Sequence, residues 1–167
     1  MNDTIQTIAM PALSHMHMDP EQPVAGVGDG LMLAAMPAEA LDAFIDVTGA
    51  GARVPLGNIE LRHLEGEFGR ARPENGALAS IEAPYILFVG GFTPVPELVA
   101  PEQGQVDAIM QALAPWAAPH MYLNFAETRR DPASFWTEQA YHRLRRIKAT
   151  VDPGNLILSN QPVLPAR

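Results

Sequence analysis

The sequence predicts an α+β fold. Three observations lead there. Residues 57–64 alternate with the period of a half-buried strand, residues 85–89 (YILFV) form a continuous apolar run, and residues 37–48 and 101–114 carry helix-spaced apolar side chains. The 167 residues amount to about one domain, and at 47% hydrophobic and 18% charged they can build a core. Sixteen prolines and thirteen glycines punctuate the chain, so its elements should be short.

In chain order, residues 19–30 (DPEQPVAGVGDG) have no hydrophobic period and read as a loop. A helix is expected over 37–48, with Pro37 at its start, Leu41, Phe44 and Ile45 on one face and Gly49 to end it. Ile59, Leu61 and His63 then alternate with Glu60, Arg62 and Leu64, as on a strand with one face buried. Residues 65–76 are charged and glycine-rich, hence a loop. The YILFV run, bounded by Pro84 and Gly90-Gly91, fits a strand buried on both faces. The helix over 101–114 should turn Val106, Ile109, Met110 and Leu113 inward and stop at Pro115. Residues 121–125 read as a short strand. Asp131-Pro132 offers an N-cap and a first-turn proline, and the helix after it places Trp136, Ala140, Leu144 and Ile147 on one stripe. Arg143, Arg145, Arg146 and Lys148 crowd its last turns, where cations suit the helix dipole. Residues 152–155 read as a turn and 156–158 as a final strand.

Composition excludes several functions. The chain has no cysteine, which removes disulfides, thiolate metal sites and a cysteine nucleophile. A net charge of −8 argues against a nucleic-acid partner, since phosphate contacts need a basic footprint. No apolar run approaches the roughly 18 residues of a membrane span, and the first residues lack the pattern of a secretory leader. The expectation is an acidic, cytoplasmic protein. Charge is unevenly spread: residues 1–118 hold 15 acidic and 4 basic side chains (net −11), residues 119–167 hold 4 and 7 (net +3). All but one of those seven basic groups lie within residues 129–148, which marks either a second surface or the basic outer face of one helix.

Spacing alone offers little chemistry. His15 and His17, two apart, would point to one side of a strand, and Asp19 could add a carboxylate, but no third ligand is placed by spacing. A polar loop explains these residues as well as a metal site does, and no metal is expected. Gly26, Gly28 and Gly30 lack the strand-turn-helix setting of a phosphate loop, and no serine sits in a nucleophile elbow.

The C-terminal third says more. Tyr122-Leu123-Asn124-Phe125, Phe135-Trp136, Tyr141-His142-Arg143-Leu144-Arg145-Arg146-Ile147-Lys148, Val151-Asp152-Pro153-Gly154-Asn155 and Asn160-Gln161-Pro162-Val163 follow in order. Together they closely resemble the berberine-bridge-type C-terminal segment of FAD-linked oxidases in the vanillyl-alcohol-oxidase superfamily. Upstream, His17-Met18-Asp19-Pro20, residues 59–66 (IELRHLEG) and residues 77–89 are similar to bacterial members of that family.

The resemblance implies an antiparallel sheet with helices on one face. Residues 1–118 would be part of a substrate-binding domain, and residues 119–167 a strand-helix segment returning to the FAD domain. It implies FAD as cofactor, a small-molecule substrate, and hydride transfer from substrate to flavin. The N-terminal FAD-binding half of such oxidases, with its pyrophosphate loop, has no counterpart here and is expected in cis or in trans. The isolated chain should then be inactive and prone to self-association. Asn124 matches the family's asparagine near the flavin ring, and Tyr122 would pack beside it. Arg62, His63 and Phe125 are expected around the substrate, with Arg62 and His63 on opposite strand faces so that at most one points to the ligand. Phe125 stands where carbohydrate- and cannabinoid-type members have a tyrosine base. Phenylalanine takes no proton, so the catalytic residue is left unassigned. The alternative reading is a stand-alone α+β binding or dimerisation module that has lost catalysis.

Overall fold

β1 (Gly26–Leu33), α1 (Ala38–Thr48), β2 (Asn58–His63), β3 (Tyr85–Phe92), α2 (Val99–Leu113) and α3 (Glu138–Val151) follow in sequence in a computed structural model that describes residues 5–16, 22–51 and 56–166. The three strands form one antiparallel sheet in the order β1-β3-β2, so the apolar run of β3 lies in the centre. That position explains its composition: a central strand is covered on both faces and needs no polar alternation.

One face of the sheet builds the core. Leu33 of β1 and Leu87 and Val89 of β3 pack with Ala40 of α1 and Val106, Ile109 and Leu113 of α2, all fully buried. Ile59 and Leu61 of β2 join them, and the Gln105 amide donates to the Val47 carbonyl at 3.3 Å, tying α2 to α1. α2 begins two residues ahead of the expected start and holds Pro101 in its first turn, where its missing N–H costs no helical bond.

β1 corrects the loop expected over residues 19–30. Its glycines at 26, 28 and 30 alternate with Val27, Asp29 and Leu31, so the strand has period two and one face is bare until Met32. The bare face is needed. A Cβ on Gly28 would lie 2.9 Å from the Val89 carbonyl and 3.5 Å from Glu127 Cγ, and one on Gly30 would meet Phe125. Glycine inside a strand marks such close approach.

Beyond α2 the chain rejoins the sheet. Ala117 bridges Leu33, the Ala34 N–H donates to the Trp116 carbonyl at 2.9 Å, and the Ala118 N–H donates to the Met32 carbonyl at 2.7 Å. The pairing stops there, and the strand expected at 121–125 is instead a 3₁₀ turn at Leu123–Phe125. Asp131 caps a separate 3₁₀ turn at Pro132–Phe135, while Thr137 caps α3 by accepting from the Ala140 N–H at 3.3 Å. Trp136 therefore precedes the helix rather than lying on its stripe. Ala140 and Leu144 are half-buried but Ile147 is exposed.

The final strand expected at 156–158 is absent. The N–H groups of Leu156 and Ile157 bend back to the Asp152 carboxylate at 2.8 and 3.0 Å, leaving Leu156, Ile157 and Leu158 at least 70% exposed. His15 ends a 3₁₀ turn at Met10–His15, not a strand, and His17 and Asp19 lie outside the described residues. Among the described residues no three metal-ligating side chains converge, and no helix is long and apolar enough to cross a membrane.

Candidate active site

The face of the sheet away from α2 carries Gly28, Gly30 and Met32 of β1, Ile86, Phe88 and Gly90 of β3, and Asn58, Glu60 and Arg62 of β2 in matched rows. The turn at Leu123–Phe125 settles on this face. Phe125 sits over the gap at Gly30 with its ring 4.9 Å from Phe88 and 5.4 Å, edge-on, from Tyr122. The Arg62 guanidinium lies 5.4 Å above the same ring, within cation–π range.

Arg62 does not point as a lone cation. Its Nη2 donates to Glu60 Oε2 at 2.8 Å and its Nε donates to Glu60 Oε1, a two-bond fork along one strand. The hydrogen bond to Glu60 raises the guanidinium pKa above its usual value, so it stays charged throughout the accessible pH range.

The turn is held from two sides. The Gln161 amide donates to the carbonyls of Thr128 at 2.7 Å and Ala126 at 3.4 Å, and its oxygen accepts from the Arg130 N–H at 3.0 Å. Arg130 in turn pairs with the buried Asp29 on β1, whose other oxygen accepts from the Gly30 N–H at 2.9 Å. C-terminal tail, turn and sheet edge thus form one hydrogen-bonded chain.

Tyr122, Phe125 and Arg62 come together, with Asn124 exposed on the same turn; His63 does not join them. It lies on the α2 side of β2, stacked on Tyr85 at 5.0 Å and 3.3 Å from Glu65. Asn124 is exposed, and its amide makes no hydrogen bond among the described residues. An uncommitted amide can both donate to and accept from the edge of a flat heterocycle, which fits a flavin ring. Gly30, Phe88 and Glu60 belong to this cluster although the motif reading did not single them out. Glycine at alternate positions of β1 was their one visible signal.

Residues 121–163, which include the turn, its Gln161 clasp and α3, match the family model described as berberine and berberine like. The fold is similar to that of a chitooligosaccharide oxidase (TM-score 0.68, 13% identity, covering 86% of this chain and 33% of that one). It is similar too to BBE-like 1 of Physcomitrella patens (0.65, 12%, 93% and 33%) and to a carbohydrate oxidase from Microdochium nivale (0.64, 16%, 89% and 34%). The chain therefore spans about a third of the length of each of these proteins. No curated protein matches it. Residues 121–163 thus match the berberine-like model, and they are carried on an α+β fold similar to that of the solved oxidases.

Proposed function

We propose that this chain is the C-terminal portion of an FAD-dependent oxidoreductase that removes hydride from a small organic substrate. It is completed by an FAD-binding part supplied in cis or in trans. The observation that carries this reading is the exposed, uncommitted Asn124 amide, set beside Tyr122 and Phe125 in a berberine-like segment. Asn124 would hold the polar edge of the flavin and Tyr122 its flank, while FAD, when bound, supplies the redox chemistry. Phe125, Phe88 and Arg62 form a rigid platform that orients and shields but takes no proton, so the base, where one is needed, lies outside Phe125.

Two further features support a partner-completed protein. Val151, Leu156, Ile157 and Leu158 are each at least 70% exposed along one stretch, a density of apolar surface that marks an interface. The net positive charge of residues 119–167 differs in sign from the rest of the chain. The same exposed stretch would serve the runner-up reading, a dimerisation module, in which a second copy covers it.

The experiment is Asn124→Ala in the assembled protein. Loss of amide bonds, each worth about 0.5–1.5 kcal/mol, should weaken FAD binding severalfold and shift the flavin reduction potential. Unchanged affinity and potential would remove Asn124 from the flavin site.

A further inference from the structure

A cavity of about 390 Å³ opens on the same sheet face, lined by Tyr122 but not by Asn124. Its floor is Met32, its walls are Leu78, Ile81 and Met121, and Phe135 and Trp136 supply two aromatic rings. Cavities of roughly 150 Å³ lined by aliphatic and aromatic side chains admit benzene, so this one has room for a two-ring group. Glu82 is the carboxylate at its lining and is exposed, as is His120; Ser80, Tyr122 and Thr137 are its other polar side chains, and the rest of the lining side chains are apolar.

The walls are fixed before any ligand arrives. The loop over residues 77–84 is fastened by the Asn75 amide to the Ala79 carbonyl at 2.6 Å, by the Ile81 N–H to the Phe68 carbonyl at 2.7 Å and by the Leu64 N–H to the Pro84 carbonyl at 2.8 Å. Opposite, the Met121 N–H donates to the Ser134 carbonyl at 3.0 Å, holding the segment before Tyr122 against the Pro132–Phe135 turn. A cavity held open by backbone bonds does not spend binding energy on ordering itself. Tyr122 is the wall shared with the Phe125 cluster, since it lines the cavity and meets the Phe125 ring edge-on.

We propose that this cavity binds the uncharged aromatic portion of the substrate, placing the reacting end past Tyr122 toward Asn124 and Phe125. Calling the occupant a substrate rests on the oxidoreductase reading; the binding preference does not. The lining offers Glu82 but no lysine or arginine to pair a carboxylate, and its mostly apolar side chains give a bare polyol few partners.

The test is methionine-methyl NMR of the 167-residue chain titrated with 2-naphthol, 2-naphthoate and glucose. Met32 and Met121 line the cavity, whereas Met36 and Met110 pack on the core across the sheet and report that the fold is intact. 2-Naphthol should shift Met32 and Met121 saturably, leave Met36 and Met110 in place, and bind more tightly than 2-naphthoate; glucose should shift neither. Trp136→Leu should weaken 2-naphthol roughly three- to ten-fold, the loss of one ring contact, with Met36 and Met110 unmoved. Absence of saturable shifts at Met32 and Met121, or glucose or 2-naphthoate equalling 2-naphthol, would overturn the proposal. No flavin takes part, so this outcome is independent of the test at Asn124.

Discussion

A Cβ placed on Gly30 would lie 2.5 Å from the Cβ of Phe125 and 2.9 Å from its carbonyl oxygen. The turn that carries Tyr122, Asn124 and Phe125 can approach the sheet because residue 30 has no side chain. Both atoms in the way belong to or adjoin backbone, so neither can rotate aside.

Gly30→Ala should therefore destabilise the chain by about 1–3 kcal/mol through overpacking, and displace the turn. Gly104→Ala is the contrasting case. A Cβ there meets nothing within 4 Å, and the residue lies inside α2, so this change should stabilise by about 0.4–1 kcal/mol. Urea unfolding of both variants checks the pair. Equal effects would mean that residue 30 is not a contact point.

The Arg130–Asp29 pair predicts an asymmetry. Asp29 is 6% exposed, so Arg130→Leu strands a buried carboxylate whose remaining bond is the Gly30 N–H. Asp29→Asn leaves a neutral amide in the same place. Removing the arginine should cost more than changing the aspartate, by roughly 1–3 kcal/mol, the range for an unsatisfied buried group. Thermal unfolding of both variants measures the difference, and the reverse order would contradict the pairing.

Asp152 gives a pH dependence. Hydrogen bonds from Lys148 first, then from the Ile157 and Leu156 N–H groups, lower its pKa to about 2 from the ordinary 3.8. A carboxylate with a depressed folded-state pKa contributes stability above its unfolded value and loses it as pH falls. The melting-temperature gap between the native chain and Asp152→Asn should thus be full above about pH 4 and close as pH falls toward 2. A gap constant across that window would show that the carboxylate charge plays no part in holding the turn after α3.

How far the sequence carries the fold depends on what each residue type can signal. β2, β3 and α2 were legible because Ile59 and Leu61, the YILFV run, and Val106 with Ile109 and Leu113 repeat at strand or helix period. α1 was placed, but its expected face was not: Leu41 and Ile45 are exposed, and Ala40 is the residue buried against the core. β1 was not, because glycine at alternate positions carries no hydropathy, and its purpose appears only once Phe125 is seen above it. The strand expected at 121–125 gives way to a 3₁₀ turn, and the expected stripe of α3 failed because Trp136 precedes the helix and Ile147 is exposed. Tyr122 and Asn124 were found through the order of motifs alone. Their neighbours Gly30 and Phe88 come from distant strands and belong to no motif.

The central claim, that this chain holds one side of a flavin site completed by an FAD-binding part, is tested most directly by FAD titration followed through flavin fluorescence and absorbance. The 167-residue chain alone should bind FAD weakly, because the pyrophosphate of FAD normally needs a cluster of backbone N–H donors that this chain is not expected to supply. Joined to or coexpressed with an FAD-binding part, the chain should purify as a yellow complex with one FAD per copy. A stoichiometric, tightly held flavin on the isolated chain, or a colourless complex, would contradict the account.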